Sequence, residues 1–390
     1  MNGTRNNRHY QRMWNLIRPL AVLLARIVFG FKAVKGDVEG PFLLVSNHVT
    51  DWDPILVGSG FSKQMYFVAS EHILRQGFIS RLLWFLFAPI ARQKGGNAAG
   101  TVKGILRALR DGGNVALFPE GNRTWDGLTA SFPPATGKMA RSSGATLVTY
   151  RMEGGYLSSP RWSGSSVRKG RMTGRIVGIY PPEDLKKMTA DEVNELIRRD
   201  IYENAWERQE KEPVRYRGRK PAEHLETFLF LCPECGEAHQ LRSRGAEFCC
   251  AACGAKSRVL DTGFLEGDFR FRTIRDWAVW QEEELGRRID AAGNGPIFSD
   301  DGMKLIEVTT ARKGTVLDTG RITLYADRLE LPAGITIPSS EISGMSIRGA
   351  SVLFTGTSEG KVYQVIPQGV RNTQKYVLAC RHLGLIDIAV

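Results

Sequence analysis

From Met1 to Gly36 the chain has no aspartate or glutamate, while Arg5, Arg8, Arg12, Arg18 and Arg26 all fall within it. Long apolar runs are also missing. None reaches the roughly 18–20 residues that cross a bilayer. The apolar stretch behind the basic N-terminus is broken by Arg18 and Arg26, which excludes an ordinary secretory signal. Cysteine is nearly absent outside one short segment: Cys232, Cys235, Cys249, Cys250 and Cys253 cluster, and Cys380 stands alone. Such clustering argues against a dispersed disulfide framework and for a metal, hence for a reducing, cytoplasmic compartment. No serine or cysteine carries the spacing of a catalytic nucleophile.

What is present is a globular composition, 42% hydrophobic and 24% charged, over 390 residues, enough for two or three domains. The net charge of +12 favours phosphate-bearing partners, in lipid headgroups or nucleic acid. Two stretches carry the chemistry. In the first, the apolar run Phe42-Leu43-Leu44-Val45 reads as a buried strand and leads into Ser46-Asn47-His48-Val49-Thr50-Asp51-Trp52-Asp53-Pro54. Pro54 suits the first turn of a helix. A strand-to-helix corner can fold His48 back on Asp53, whose carboxylate would orient the ring as a general base. Asn47 and Asp51 are expected to cap or brace the corner. The second stretch, Val115-Ala116-Leu117-Phe118-Pro119-Glu120-Gly121-Asn122-Arg123-Thr124, again runs from an apolar strand into a polar turn. Arg123 can grip a phosphate with its two-pronged guanidinium, and Gly121 lets backbone come close.

Together these stretches resemble the glycerolipid acyltransferase family, whose best-known members acylate lysophosphatidic acid. That family has a His and an Asp separated by four residues, then a Phe-Pro-Glu-Gly-x-Arg block downstream. The resemblance covers roughly residues 10 to 205. It implies transfer of a fatty acyl group from acyl-CoA or acyl carrier protein to the free hydroxyl of a lysophospholipid. His48 would be the base and Asp53 its orienter. Glu120, Gly121 and Arg123 would bind the acceptor's phosphate, Glu120 bracing Arg123 or bonding the glycerol hydroxyl. Arg92 stands where relatives have a second phosphate-linked arginine. Asn122 replaces the usual Thr. The family's last motif, a strand ending in a Val-Pro pair, reads Leu147-Val148-Thr149-Tyr150 here and lacks the proline.

Alternating strands and helices predict an α/β fold with a mixed, largely parallel sheet and flanking helices. Both motifs fall at strand carboxyl ends, where sites of such sheets gather. Residues 1–36 form an amphipathic membrane-contact region: Trp14, Ile17, Leu20, Leu24, Ile27 and Phe31 recur at helical spacing, with Pro19 as a kink or restart. Its arginines would face anionic lipids of the cytoplasmic leaflet, placing the protein peripherally on the inner face of the cell membrane. The acyltransferase domain spans 37–207. An uncharged segment, 82–91, reads as a core helix or a membrane-dipping one, and 189–207 as one capped helix.

A linker (208–226) precedes a zinc ribbon (227–260). Its knuckles, Cys232-Pro-Glu-Cys235-Gly and Cys250-Ala-Ala-Cys253-Gly, suit a structural zinc held by Cys232, Cys235, Cys250 and Cys253, with Cys249 spare. Residues 261–295 supply a connecting helix opened by Thr273 and Asp276, with Trp277 and Trp280 as packing anchors. Residues 296–390 read as seven short strands and a final helix with Cys380 in its core face, a pattern that resembles a pleckstrin-homology-like β-barrel. Nucleic acid is not an expected partner, because no basic surface with interleaved aromatics is visible. The alternatives kept open are the same chemistry on another acceptor (glycerol phosphate or an amino-acid lyso-lipid), and a non-catalytic zinc-ribbon binding protein.

Overall fold

A computed structural model describes residues 7–34, 36, 38–70, 87–92, 99–163, 167–310, 313–349 and 352–386. The chain forms two compact units, Met1–Pro160 with Val167–Arg217 and Arg161–Ser166 with Gly218–Ile388.

The first unit is built on a seven-stranded sheet. Its strands are β1 (Phe31–Ala33), β2 (Phe42–Ser46), β3 (Met65–Ser70), β4 (Ile90–Arg92), β5 (Asn114–Leu117), β6 (Thr146–Glu153) and β7 (Met172–Tyr180). They lie in the order β1-β7-β6-β2-β5-β3-β4. Every neighbouring pair is parallel except β6 with β7. The expected largely parallel α/β sheet is therefore present. The central strand β2 is buried along its whole length, which is why it reads as an unbroken apolar run. Its side chains alternate between two cores. Leu43 and Val45 pack with Ile105, Leu109, Met139 and Ile197 on one face of the sheet. Phe42 and Leu44 pack with Phe29, Leu56 and Val57 on the other.

Helix α1 (Asn7–Phe29) is continuous through Pro19, and α2 (Asp53–Ser59) follows the His48 corner. The predicted apolar stripe of α1 is divided. Trp14, Ala21, Ala25 and Phe29 are buried on the domain, and the Trp14 indole donates to the Phe61 carbonyl at 3.2 Å. Phe31 lies beyond the helix, buried in β1. Leu16, Leu20, Leu23, Leu24, Ile27 and Val28 remain exposed, a second apolar face that the domain does not cover. The inner face joins two large side chains, Trp14 and Phe29, with two small ones, Ala21 and Ala25.

Three expectations change. The helix over 189–207 is two helices, Ala190–Ile201 and Ala205–Lys211, because Asn204 accepts from the Trp206 and Glu207 amides and starts a new one. Within 82–91, residues up to 86 lie outside the described residues, and Ile90–Arg92 is a strand paired with β3 instead of helix. Residues 208–217 pack on the first unit: Tyr216 is buried, its hydroxyl donates to the Arg171 carbonyl, and Arg217 bridges Lys169.

The second unit holds two antiparallel sheets. The small one runs β11-β10-β9-β8, from β8 (Leu241–Arg244), β9 (Glu247–Cys250), β10 (Lys256–Val259) and β11 (Leu265–Gly267). The helix Ile274–Ala292 braces it, with Trp277 fully buried against Phe248 and Phe269 and its indole donating to the Leu231 carbonyl. The larger sheet has β12 (Phe298–Thr310), β13 (Lys313–Leu324), β14 (Arg328–Leu331), β15 (Ile335–Pro338), β16 (Ile342–Arg348), β17 (Val352–Thr357) and β18 (Val362–Pro367), ordered β15-β14-β13-β12-β18-β17-β16. The helix Gln374–His382 ends the unit, with Tyr376 and Cys380 buried. Among the described residues, seven strands and a closing helix agree with the expected count.

Candidate active site

Parallel pairing of β2 with β5 sets Val45 beside Leu117, so the turns leaving both strands emerge side by side. His48 and Glu120 are thereby neighbours although they stand 72 positions apart along the chain. The second stretch holds both peptide groups of His48. Its N–H donates to Glu120 Oε1 at 2.6 Å, and its carbonyl accepts from the Thr124 amide at 3.1 Å. From the other side Asn47 clamps the corner to β6, exchanging two 2.8 Å hydrogen bonds with the backbone of Met152.

The side-chain arrangement follows from the tight turn into α2. His48 Nδ1 lies 2.7 Å from Asp53 Oδ2. Asp53 is fully buried, and three more donors reach it: the Val49 amide at 2.6 Å, the Thr50 amide at 2.9 Å and the Thr50 hydroxyl at 2.6 Å. Four donors on one buried carboxylate make its position over-determined, and the ring it holds is fixed with it. The imidazole also stacks on Phe118, centroids 4.7 Å apart and planes at 24°. Its side chain is 20% exposed, so the site is open to a substrate while its anchor is not. With Nδ1 committed to Asp53, Nε2 is the ring nitrogen available for proton transfer.

Glu120 is turned inward. Oε1 accepts from His48 and Oε2 from the Ala130 amide at 2.6 Å. Burial pushes its carboxyl up to about 8, in spite of these two amides, which pull the other way. Arg123, also buried, places Nε 3.0 Å from Asp51 Oδ1 and Nη1 3.4 Å from the Ser159 carbonyl. Asp51 is 77% exposed, so this carboxylate partner stands on the solvent side of the guanidinium. Gly121 has φ of 74°, the left-handed turn that glycine accepts without strain. Arg92 is the last residue of β4, level with Ser70 of β3, at the same carboxyl end of the sheet as His48 and Phe118. The divergent strand Leu147–Tyr150 contributes Thr149, whose hydroxyl donates to Asp200 Oδ2 at 2.7 Å and so ties β6 to the helix Ala190–Ile201. Trp52, half exposed, packs beside Phe29 of α1.

The structure thus brings together His48, Asp53, Glu120 and Arg123 around one corner. Sequence reasoning missed the roles of Thr50, Phe118 and Ala130. Thr50, three positions before Asp53, carried a readable signal as a local hydroxyl donor; Ala130 carried none, since its amide alone takes part.

In the second unit the four sulfurs of Cys232, Cys235, Cys250 and Cys253 lie within 4.8 Å of one another. Two separations, Cys232 to Cys253 and Cys235 to Cys250, are 3.8 Å each. A tetrahedron with bonds of about 2.3 Å has edges of about 3.8 Å, so the donor set could hold a zinc ion. Gly236 and Gly254 follow the knuckles with φ of 77° and 79° and donate back to Cys232 and Cys250. Cys249 lies outside the cluster.

The family model described as Acyltransferase matches residues 27–153. A 1-acyl-sn-glycerol-3-phosphate acyltransferase of Borreliella burgdorferi is 27% identical over 108 residues, 27% of this chain. The chain spans only 43% of that relative's length. The solved 1-acyl-sn-glycerophosphate (LPA) acyltransferase PlsC of Thermotoga maritima superposes with a TM-score of 0.41 at 18% identity, over 51% of this chain and 83% of that one. Among the described residues no helix is long and apolar enough to cross a membrane.

Proposed function

We propose that the first unit moves a fatty acyl group from an acyl thioester to the free hydroxyl of lysophosphatidic acid or a closely related lysophospholipid. The observation that carries this reading is the His48–Asp53 pair, 2.7 Å apart and half-sheltered at the carboxyl end of the sheet, with a buried arginine on the neighbouring turn. His48 Nε2 takes the proton of the acceptor hydroxyl as its oxygen attacks the thioester carbonyl. The tetrahedral intermediate then collapses, the C–S bond breaks, and the leaving thiolate recovers the proton from the imidazolium. Asp53 keeps the ring in the right tautomer and stabilises its charged form. The thioester is already activated, so no enzyme nucleophile is called for.

Arg123 and Arg92 bind the acceptor's phosphate. For Arg123 this means exchanging Asp51 for the phosphate, a trade favoured by the phosphate's greater charge and by two-pronged geometry. Gly121 lets the turn approach it. Glu120 acts from behind, by holding the His48 amide. Acyl-CoA or acyl carrier protein supplies the acyl group.

The exposed leucines and isoleucine of α1, with the half-exposed Trp52 and with Arg12 and Arg26 also exposed, form the face that meets the lipid surface from which the acceptor is drawn. Anionic lipids of the cytoplasmic leaflet suit those arginines. A structural zinc held by Cys232, Cys235, Cys250 and Cys253 stabilises the ribbon, which has little core of its own.

The test is a panel of donors and acceptors with wild type and His48→Ala. Acylation of lysophosphatidic acid that disappears in His48→Ala is the expected result. Preference for a phosphate-free acceptor would remove the assigned role of Arg123. No turnover with any donor would leave the non-catalytic reading standing in its place.

A further inference from the structure

Asp51 sits inside the corner that carries His48 and Asp53, yet its carboxylate takes no part in holding that corner. The Val49 and Thr50 amides both donate to Asp53, and the Trp52 amide donates to the Thr50 hydroxyl at 3.1 Å. The backbone on both sides of Asp51 is thus pinned, and only its side chain can move. That side chain is 77% exposed and meets Arg123 Nε at 3.0 Å; among the described residues Arg123 is its one partner. Arg123 has other anchors. Its Nη1 donates to the Ser159 carbonyl at 3.4 Å, and the next amide, of Thr124, donates to the His48 carbonyl at 3.1 Å. The Arg123 side chain is only 9% exposed, and a guanidinium so buried is costly to leave without a counter-charge.

The pair is unsymmetrical. The cation is buried and anchored, whereas the anion is exposed and can rotate into water with little loss. With Nη1 turned to Ser159, a two-pronged grip on phosphate runs through Nε and Nη2, and Asp51 holds Nε. We propose that Asp51 is a tethered resting counter-ion for Arg123, which the acceptor's phosphate displaces and which returns to expel the product. The ligand's identity rests on the acyl-transfer reading. Only protein with Arg123 released can take a phosphate, so the apparent affinity for every phosphate-bearing ligand is lowered by one common factor. Acceptor and product carry the same phosphate and are affected alike; a ligand without phosphate is not affected. The tether keeps the carboxylate at high effective concentration, which favours product release. The sign separates this role from that of a brace. A carboxylate that held Arg123 ready for phosphate would weaken binding when its charge was removed; a resting counter-ion strengthens it.

Titration calorimetry on the full chain, without any acyl donor, tests it. The probes are 1-hexanoyl lysophosphatidic acid and dihexanoyl phosphatidic acid, both below their micelle concentrations. Asp51→Asn, which keeps the shape and removes the charge, is expected to bind each roughly threefold or more tightly than wild type, by a common factor. 1-Monohexanoylglycerol should show no gain. In steady state the same variant should lower KM for lysophosphatidic acid and the inhibition constant of the product together, the opposite direction from Arg123→Lys. Unchanged or weaker binding in Asp51→Asn, an equal gain for 1-monohexanoylglycerol, or no binding of either phosphate-bearing probe to either protein would each overturn it. The two readings fail separately. Tighter binding in Asp51→Asn with no turnover of any acceptor upholds the counter-ion and removes acyl transfer. Turnover that disappears in His48→Ala, with affinity unmoved by Asp51→Asn, upholds acyl transfer and removes the counter-ion.

Discussion

Asp53→Asn separates the two jobs of the buried carboxylate. Asparagine keeps the shape but replaces one acceptor oxygen with a donor. If the amide group takes the place of Oδ2, the Val49 amide and His48 Nδ1 lose their acceptor. If it takes the place of Oδ1, the Thr50 amide loses its acceptor and the Thr50 hydroxyl must reverse. Either way at least one buried N–H is stranded, at a cost of about 1–3 kcal/mol in stability. The rate falls further, because the ring is no longer held in the tautomer that leaves Nε2 free; a loss of roughly 10²–10⁴-fold in kcat is expected for a general base disabled in this way. The assay is thiol release from the acyl donor with lysophosphatidic acid, normalised to the folded fraction from a thermal melt. Asp53→Asn on a His48→Ala background should leave the residual rate unchanged while still lowering stability, since a group that acts through His48 has nothing left to act on. Additive rate losses in the double variant, or a single variant within about threefold of wild type, would refute the pairing as the catalytic device.

Other outcomes follow from the same geometry. The folded pKa of Glu120, about 8, lies above the ordinary 4.5, so the folded state holds the proton more tightly. Its contribution is therefore fully present below pH 4.5 and is lost as pH rises toward and through 8. Wild type should lose on the order of a few kcal/mol over that interval relative to Glu120→Gln, whose stability difference should flatten; melts from pH 5 to 9 measure it, and parallel curves would contradict the buried-carboxyl account. Cys250→Ser should lose one bound zinc and melt lower, while Cys249→Ser keeps both metal and melting temperature, as metal analysis and calorimetry would report. Leu20→Asp with Leu24→Asp should abolish sedimentation with anionic vesicles without unfolding the domain, since both side chains are exposed. Arg123→Lys should raise KM for a phosphate-bearing acceptor roughly tenfold or more with a smaller change in kcat, because a point charge replaces a two-pronged one.

The linear sequence was enough for whatever depends on neighbours within a few residues. The apolar run before His48 announced a buried strand, Pro54 the helix after it, and Cys-x-x-Cys-Gly twice a pair of knuckles. It also announced a largely parallel α/β sheet, through the alternation of strand and helix patterns. Tertiary structure decided the rest. The docked face of α1 carries Trp14, Ala21, Ala25 and Phe29, and only Trp14 of these belongs to the stripe that the spacing of large apolar residues marked. The break at Asn204 came from a cap that outcompeted continued helix. That Glu120 serves the His48 backbone, and Asp51 partners Arg123, depends on β2 and β5 lying side by side, a pairing made by hydrogen bonds between strands far apart in the chain. In the second unit Lys375, Asp300 and His239 meet from three distant segments, and no local pattern in any of them records that they do.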